Sequence, residues 1–239
     1  MTTGHLPTVA AIVIDDPRTA RVFERFGIDY CCRGDSDIES ACAVAGVPVV
    51  DVEAAIAALD DPVDDAASWV TLDMLGLIDH VVETHHAFAR SEMQRLAGLL
   101  KQTVDAHGST HPELGVVVTA FGDVVSDLFP HLCREEHLVF PLARAIVTGE
   151  EPEVGFEGGL SHPIAFMHAE HDSTAKVLDA LRRATDDFTP PADACATWRA
   201  LYAGLAELEA DTHRHIHKEN YRLFPAILRA EAEAAVNGG

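Results

Sequence analysis

The sequence predicts an all-α protein, with a small N-terminal helical domain followed by an up-down-up-down bundle of four long helices. From about Thr71 onward, apolar residues recur at helical spacing for most of the remaining length. Short segments rich in Gly, Pro and acidic residues divide that pattern into four long stretches. No Val/Ile-rich alternation is long enough to argue for a sheet.

Residues 1–60 read as short helices broken by turns. Pro17 opens a helix carrying Val22, Phe23 and Phe26, and Gly27 closes it, since proline suits the first helical position and glycine the site just past the end. Ser36-x-x-Glu39 reads as a capping box for a helix over Ala41 to Ala45 that Gly46 ends, and Asp51 caps a third helix ending near Leu59. Between the first two lies Asp29-Tyr30-Cys31-Cys32-Arg33-Gly34, a turn that presents two adjacent thiols. Residues 61–70 read as an acidic linker, because Asp60, Asp61, Asp64 and Asp65 repel one another and Pro62 breaks helix.

The bundle is expected over 71–236. Its first helix runs from Leu72 to about Ala106 and its second from Pro112 to about Ile146. After a loop at Gly149 to Gly159, the third starts at Pro163 and ends before Pro190-Pro191. The fourth runs from about Asp193 to Val236. Joined by short loops, four such helices form an antiparallel bundle around one core.

A repeat is written into these helices. His131-Leu-Cys-Arg-Glu135, followed by Phe140-Pro141, returns 84 residues later as His215-Ile-His-Lys-Glu219, followed by Phe224-Pro225. A histidine and a glutamate four residues apart share one face of a helix, so both reach a common ion. His86 and His171, 85 residues apart, extend the repeat to the two preceding helices. A solvated charged face does not explain why both units keep the same register. Imidazole and carboxylate without thiolate suit iron or manganese, and also zinc. Ferritin-like bundles carry Glu-x-x-His, so the order and spacing here differ from theirs. His85 and His217 project away from the ligand face and read as structural, while His80 is close enough to reach the interior. Asp79, Glu170 and Asp172 are candidate acceptors for the outer imidazole nitrogens.

Composition narrows the function classes. The chain has 239 residues, 48% of them hydrophobic, enough to bury a sizeable core. A net charge of −22 with no basic stripe argues against nucleic acid as a partner. The longest apolar run near the N-terminus, Val9 to Ile14, is too short for a secretion signal or a membrane span, so no membrane partner is expected and the expected location is the cytoplasm. Five cysteines without framework spacing suit a reducing compartment. Of these, Cys42, Cys133 and Cys195 read as buried helix residues. A functional Cys31-Cys32 pair requires accessible thiols of low pKa; Arg33 favours the thiolate while Asp29 and Asp35 oppose it. A homodimer is one expected assembly.

At the repeated His-x-x-x-Glu units, with the Cys31-Cys32 turn ahead of them, nearly the whole chain resembles the Repair of Iron Centres family. There a small domain with a Cys-Cys turn precedes a hemerythrin-like bundle. The resemblance implies two non-haem irons, joined by an oxo or hydroxo bridge and by the carboxylates of Glu135 and Glu219. It implies that His86, His107, His131, His171 and His215 divide between them. At the 84-residue offset His107 faces Pro191, so the expectation is an uneven pair of irons with one open position for dioxygen, nitric oxide or peroxide. The implied function is repair of iron–sulfur clusters damaged by nitrosative or oxidative stress, with damaged iron–sulfur proteins as partners. Iron delivery is one route; turnover of nitric oxide or peroxide is the other and makes the protein an oxidoreductase. The alternative is a carrier or sensor of oxygen, nitric oxide or iron on the same bundle.

Overall fold

The structure, a computed structural model, describes residues 7–59, 68–149 and 159–237. It is all-α: the described residues contain no strand, only an isolated bridge between Thr8 and Asp37. Residues 61–67 of the expected linker and 150–158 of the expected loop lie outside the described residues.

Four short helices form the N-terminal part: α1 (Val9–Asp15), α2 (Thr19–Phe26), α3 (Ile38–Ala45) and α4 (Val49–Ala57). The sequence reading missed α1, whose first turn is capped by the Thr8 hydroxyl accepting from the Ala11 N–H at 3.2 Å. Gly27 and Gly46 end α2 and α3 at φ 65° and 71°, the left-handed region where a Cβ is penalised. Two caps differ from expectation. Asp37, not Ser36, caps α3, because its carboxylate accepts from the Ser40 N–H at 2.8 Å and also from the Ser40 hydroxyl. Asp51 lies inside the first turn of α4, which starts after Pro48, where its charge favours the helix N-terminus. Val9, Val13, Phe23, Tyr30, Cys42 and Val52 form the core of this part, and Ile216 of the bundle enters it.

Each expected long helix is present, three of them with a break in register. The first is α5 (Met74–His80), a π turn at Val81–His86, and α6 (Ala87–His107). The second is α7 (Leu114–Arg134), a π turn at Glu135–Val139, and α8 (Phe140–Thr148). The third, α9 (Ser161–Ala184), is continuous, and the fourth is α10 (Ala196–Lys218), a π turn at Glu219–Leu223, and α11 (Phe224–Asn237). Helix α6 packs on α10 and α7 on α9. Leu96, Val117, Val124, Leu178, Trp198, Leu201, Leu205 and Leu208 fill one end of the bundle. Leu77, Val81, Val139, Phe140, Ile164, Leu223 and Phe224 fill the other. The stretch Leu114–Thr148 is long and apolar enough to cross a bilayer. Here it buries Val117, Phe121, Val124 and Leu128 in the bundle core.

Candidate metal centre

The site lies between the two apolar clusters, where the π turns interrupt the helices. Glu135 and Glu219 each open such a turn, and His86 closes the third. Two of the three have a cause visible in the sequence. Pro141 and Pro225 have no N–H, and a proline ring clashes with the carbonyl four residues back. The last donors before them, Phe140 and Phe224, reach back five residues to the carbonyls of Glu135 and Glu219. The turn before Ala87 contains no proline, so sequence offers no such cause there. Wide turns of this kind concentrate at functional sites.

The structure brings six of the sequence-predicted residues together: His86, His131, Glu135, His171, His215 and Glu219, all 0–2% exposed. They fall into two groups sharing both glutamates, His86 with His215 and His131 with His171. Each carboxylate divides its oxygens between the groups. Glu135 Oε2 stands 3.3 Å from His86 Nε2 and Oε1 stands 3.3 Å from His131 Nε2. Glu219 Oε1 stands 2.9 Å from His215 Nε2 and Oε2 stands 3.1 Å from His171 Nε2. Within the groups, the paired Nε2 atoms approach to 3.2 Å and 3.1 Å.

Three imidazoles have the opposite nitrogen committed. His86 Nδ1 lies 2.7 Å from Glu136, which Arg90 holds at 2.6 Å. His131 Nδ1 lies 3.1 Å from Glu170, which Arg134 holds. His171 Nδ1 lies 2.8 Å from the Asn220 side-chain oxygen. Donation from Nδ1 leaves Nε2 of each of these neutral rings with only a lone pair, and in the His131–His171 pair two such lone pairs face each other near 3 Å and repel unless a cation lies between them. Donors bound about 2.1 Å from one ion at near-right angles stand about 3 Å apart, so the spacing fits. All four oxygens of Glu135 and Glu219 are buried without a hydrogen-bond partner, a costly state for two carboxylates unless cations satisfy them.

Protons can take over part of that role when no cation is bound. Burial alone would lower the His171 pKa, but the Glu135 and Glu219 carboxylates outweigh it and hold it at about 10. Burial would raise the Glu135 carboxyl, yet the His131, His171 and His86 imidazoles hold it well below the usual range.

His107 is not part of this arrangement. It ends α6, 21 residues beyond His86, which is roughly 30 Å along a helix, and packs against Trp198 and His111. The expectation of an uneven pair built on a fifth histidine is therefore corrected to two groups of two histidines. Among the candidate acceptors, Glu170 orients an imidazole, Asp79 instead pairs with Arg144, and Asp172 is exposed. Glu136 and Asn220 were missed, although each follows a repeated glutamate at the same 84-residue offset. His85 and His217 are buried and bonded away from the cluster, to Asp211 at 3.0 Å and to the Tyr30 carbonyl at 3.1 Å. His80 reaches Lys218 Nζ at 3.0 Å, not the cluster.

The thiol turn rests against this centre. The Asp29 carboxylate accepts from the N–H groups of Cys31, Cys32 and Arg33 at 3.1, 2.8 and 3.3 Å, and the two Sγ atoms stand unbonded at 3.6 Å. Cys31 is 3% exposed. Its contact with Cys32, together with burial, raises its pKa well above that of a free thiol, so it is neither accessible nor acidic. Cys195 lies outside helix, as the N-cap of α10, and is half-buried.

The hemerythrin HHE cation binding domain family matches residues 77–227, and residues 6–60 match a domain of unknown function, DUF542, designated ScdA_N. The iron–sulfur cluster repair protein YtfE of Enterobacter sp. (strain 638) is 33% identical over 226 residues, 92% of this chain and 96% of that protein. The chain belongs to the YtfE family. The YtfE protein of Musicola paradisiaca (strain Ech703) is 31% identical over 225 residues, spanning 94% of this chain and 97% of that one. That of Yersinia pestis (strain Pestoides F) is 29% identical over 224 residues, with 94% and 97% covered. The resemblance to the Repair of Iron Centres family read from the sequence is thereby shown.

Proposed function

We propose that this chain is a di-iron protein that repairs iron–sulfur clusters damaged by nitrosative or oxidative stress. The observation that supports two ions is the division of the Glu135 and Glu219 oxygens between the two histidine pairs. Relatives along nearly the whole chain carry the name iron–sulfur cluster repair protein, which supports the task and, with it, the reading of damaged iron–sulfur proteins as partners. In this reading His86, His215 and one oxygen of each glutamate would hold one iron, and His131, His171 and the remaining oxygens would hold the other. The irons, when bound, supply one-electron chemistry and positions for small oxygen or nitrogen ligands.

The chain's own residues set the conditions for that chemistry. Glu136, Glu170 and Asn220 fix three imidazoles so that Nε2 faces inward. Val81, Val139, Phe140, Leu223 and Phe224 pack beside the centre and limit the access of water. The four donors of each group, two imidazoles and two carboxylate oxygens, would leave a bound iron room for nitric oxide, dioxygen or peroxide. A cytoplasmic location accords with five free cysteines. A carrier or sensor built on the bundle alone has no need of an N-terminal domain bonded to the ligand-bearing helix, as this one is through Asn220 and His217.

The test combines iron content, absorption spectrum and repair. Purified protein loaded with ferrous iron is expected to hold about two irons per chain, to change its spectrum with nitric oxide, and to restore a nitric-oxide-damaged cluster enzyme. Fewer than about one and a half irons per chain counts against the two-ion centre. Two irons without restoration count against the repair function.

A further inference from the structure

One hydrogen-bond chain runs from the thiol turn into the centre. Asn220 Nδ2 donates to the Cys31 carbonyl at 2.9 Å, which fixes the orientation of the amide. Its Oδ1 is then the acceptor for His171 Nδ1 at 2.8 Å, which fixes the tautomer and aims His171 Nε2 at Glu219. One neutral side chain thus reads the backbone of the N-terminal part at one end and a candidate ligand at the other.

The equivalent place in the other half lacks this link. There Glu136 orients His86 and is held by Arg90, so that support stays within the bundle. Around Asn220 the turn is gripped by nearby residues of α10 and the π turn that follows it. His217 Nδ1 bonds the Tyr30 carbonyl at 3.1 Å, and a Cβ at Gly34 would stand 3.0 Å from the Tyr221 ring and 2.5 Å from the Tyr30 carbonyl. These contacts tie the position of Asn220 to that of the turn.

We propose that Asn220 is a two-ended positioning residue coupling the Cys31–Cys32 turn to His171, so that metal at the His131–His171 pair and the state of the turn influence each other. The inference rests on the two-metal reading above. Coupling of this kind is reciprocal: a metal that fixes His171 tightens the turn, and modification of the turn loosens that metal.

The experiment uses the full chain, with ferrous iron loaded under argon. It measures irons per chain and the rate at which iodoacetamide alkylates Cys32, followed by peptide mass spectrometry. In the wild type, loading is expected to slow alkylation about five-fold or more. Asn220→Asp keeps an acceptor for His171 but loses the donor to Cys31. It is expected to hold two irons while the effect of loading shrinks below about two-fold. Asn220→Ala loses both ends and is expected to release one iron to a chelator about ten-fold faster than the wild type. Equal alkylation rates in iron-loaded and iron-free wild type, with two irons bound, overturn the coupling and leave the metal reading standing. So does an Asn220→Asp protein that keeps the full difference. A wild-type chain that binds no iron overturns both.

Discussion

The two halves of the bundle set equivalent ligands at equivalent places in the repeat and then support them with different chemistry. The first-half histidines, His86 and His131, each face a carboxylate clamped by an arginine: Glu136 with Arg90, and Glu170 with Arg134. The second-half histidines do not. His171 faces the Asn220 amide, and His215 stacks on His85 at 5.7 Å. Counted along the repeat, His85 stands where Glu170 stands and Lys218 where Arg134 stands. Lys218 Nζ lies 2.5 Å from His85 Nε2, and burial lowers its pKa to about 8. Because each group takes one histidine from each half, each would-be ion has one carboxylate-supported imidazole and one without. The ligands are duplicated faithfully, and the asymmetry lies one layer out.

Removing a shared carboxylate breaks both halves at once and has the largest expected effect. Glu219→Leu is expected to lower iron from about two per chain to below one, since its oxygens serve both groups. His217→Leu, two residues away, costs about 1–3 kcal/mol of stability by leaving the Tyr30 carbonyl unpaired, yet keeps two irons. Metal analysis with thermal unfolding separates these outcomes, and equal iron loss in both variants would mean that the ligand face has been misassigned.

Single histidines come next. His86→Leu is expected to lose one iron and His107→Leu none, because His107 sits at the far end of α6 against Trp198. Loss of iron in His107→Leu would restore the uneven five-histidine centre.

A milder change tests the supports themselves. Glu136→Gln gives His86 an amide like that of His171, and is expected to weaken the iron at the His86–His215 pair about ten-fold in chelator competition. No change in either iron would show that carboxylate and amide supports are equivalent here.

The ligands were legible because helical spacing and a repeat are both local patterns, and each half of the chain writes one ligand set on its own helices. His107 was assigned by resemblance, without support from the repeat, and the length of α6 carries it out of reach. The π turns were half-legible: Pro141 and Pro225 announce trouble one residue after Phe140 and Phe224, but nothing in Val81 to His86 announces the third. Glu136 and Asn220 were readable in principle, since they occupy the same place in the repeat. Their roles depend on partners from other elements, Arg90 and the Cys31 carbonyl, which no spacing within one helix reveals. The buried state of Cys31 is tertiary too, because α10 covers a turn that looks open in sequence.

The smallest effect separates two places where a histidine meets a cysteine-bearing segment. His217 bonds the turn backbone, where contact with Cys32 and burial hold the Cys31 pKa well above that of a free thiol, whereas His107 stands beside the Cys195 thiol itself. The Trp198 backbone N–H at the start of α10, assisted by the His107 side chain, lowers the Cys195 pKa to about 7. A lowered thiol pKa puts the reactive thiolate above that pH, so alkylation at Cys195 is expected to rise with a midpoint near 7 while Cys31 stays unreactive across the same range. His107→Leu is expected to move the midpoint upward but not fully to 9.0, because the backbone donor is the larger cause and remains. A midpoint unmoved by that variant would leave His107 as packing for Trp198 alone, with the helix terminus accounting for the whole shift.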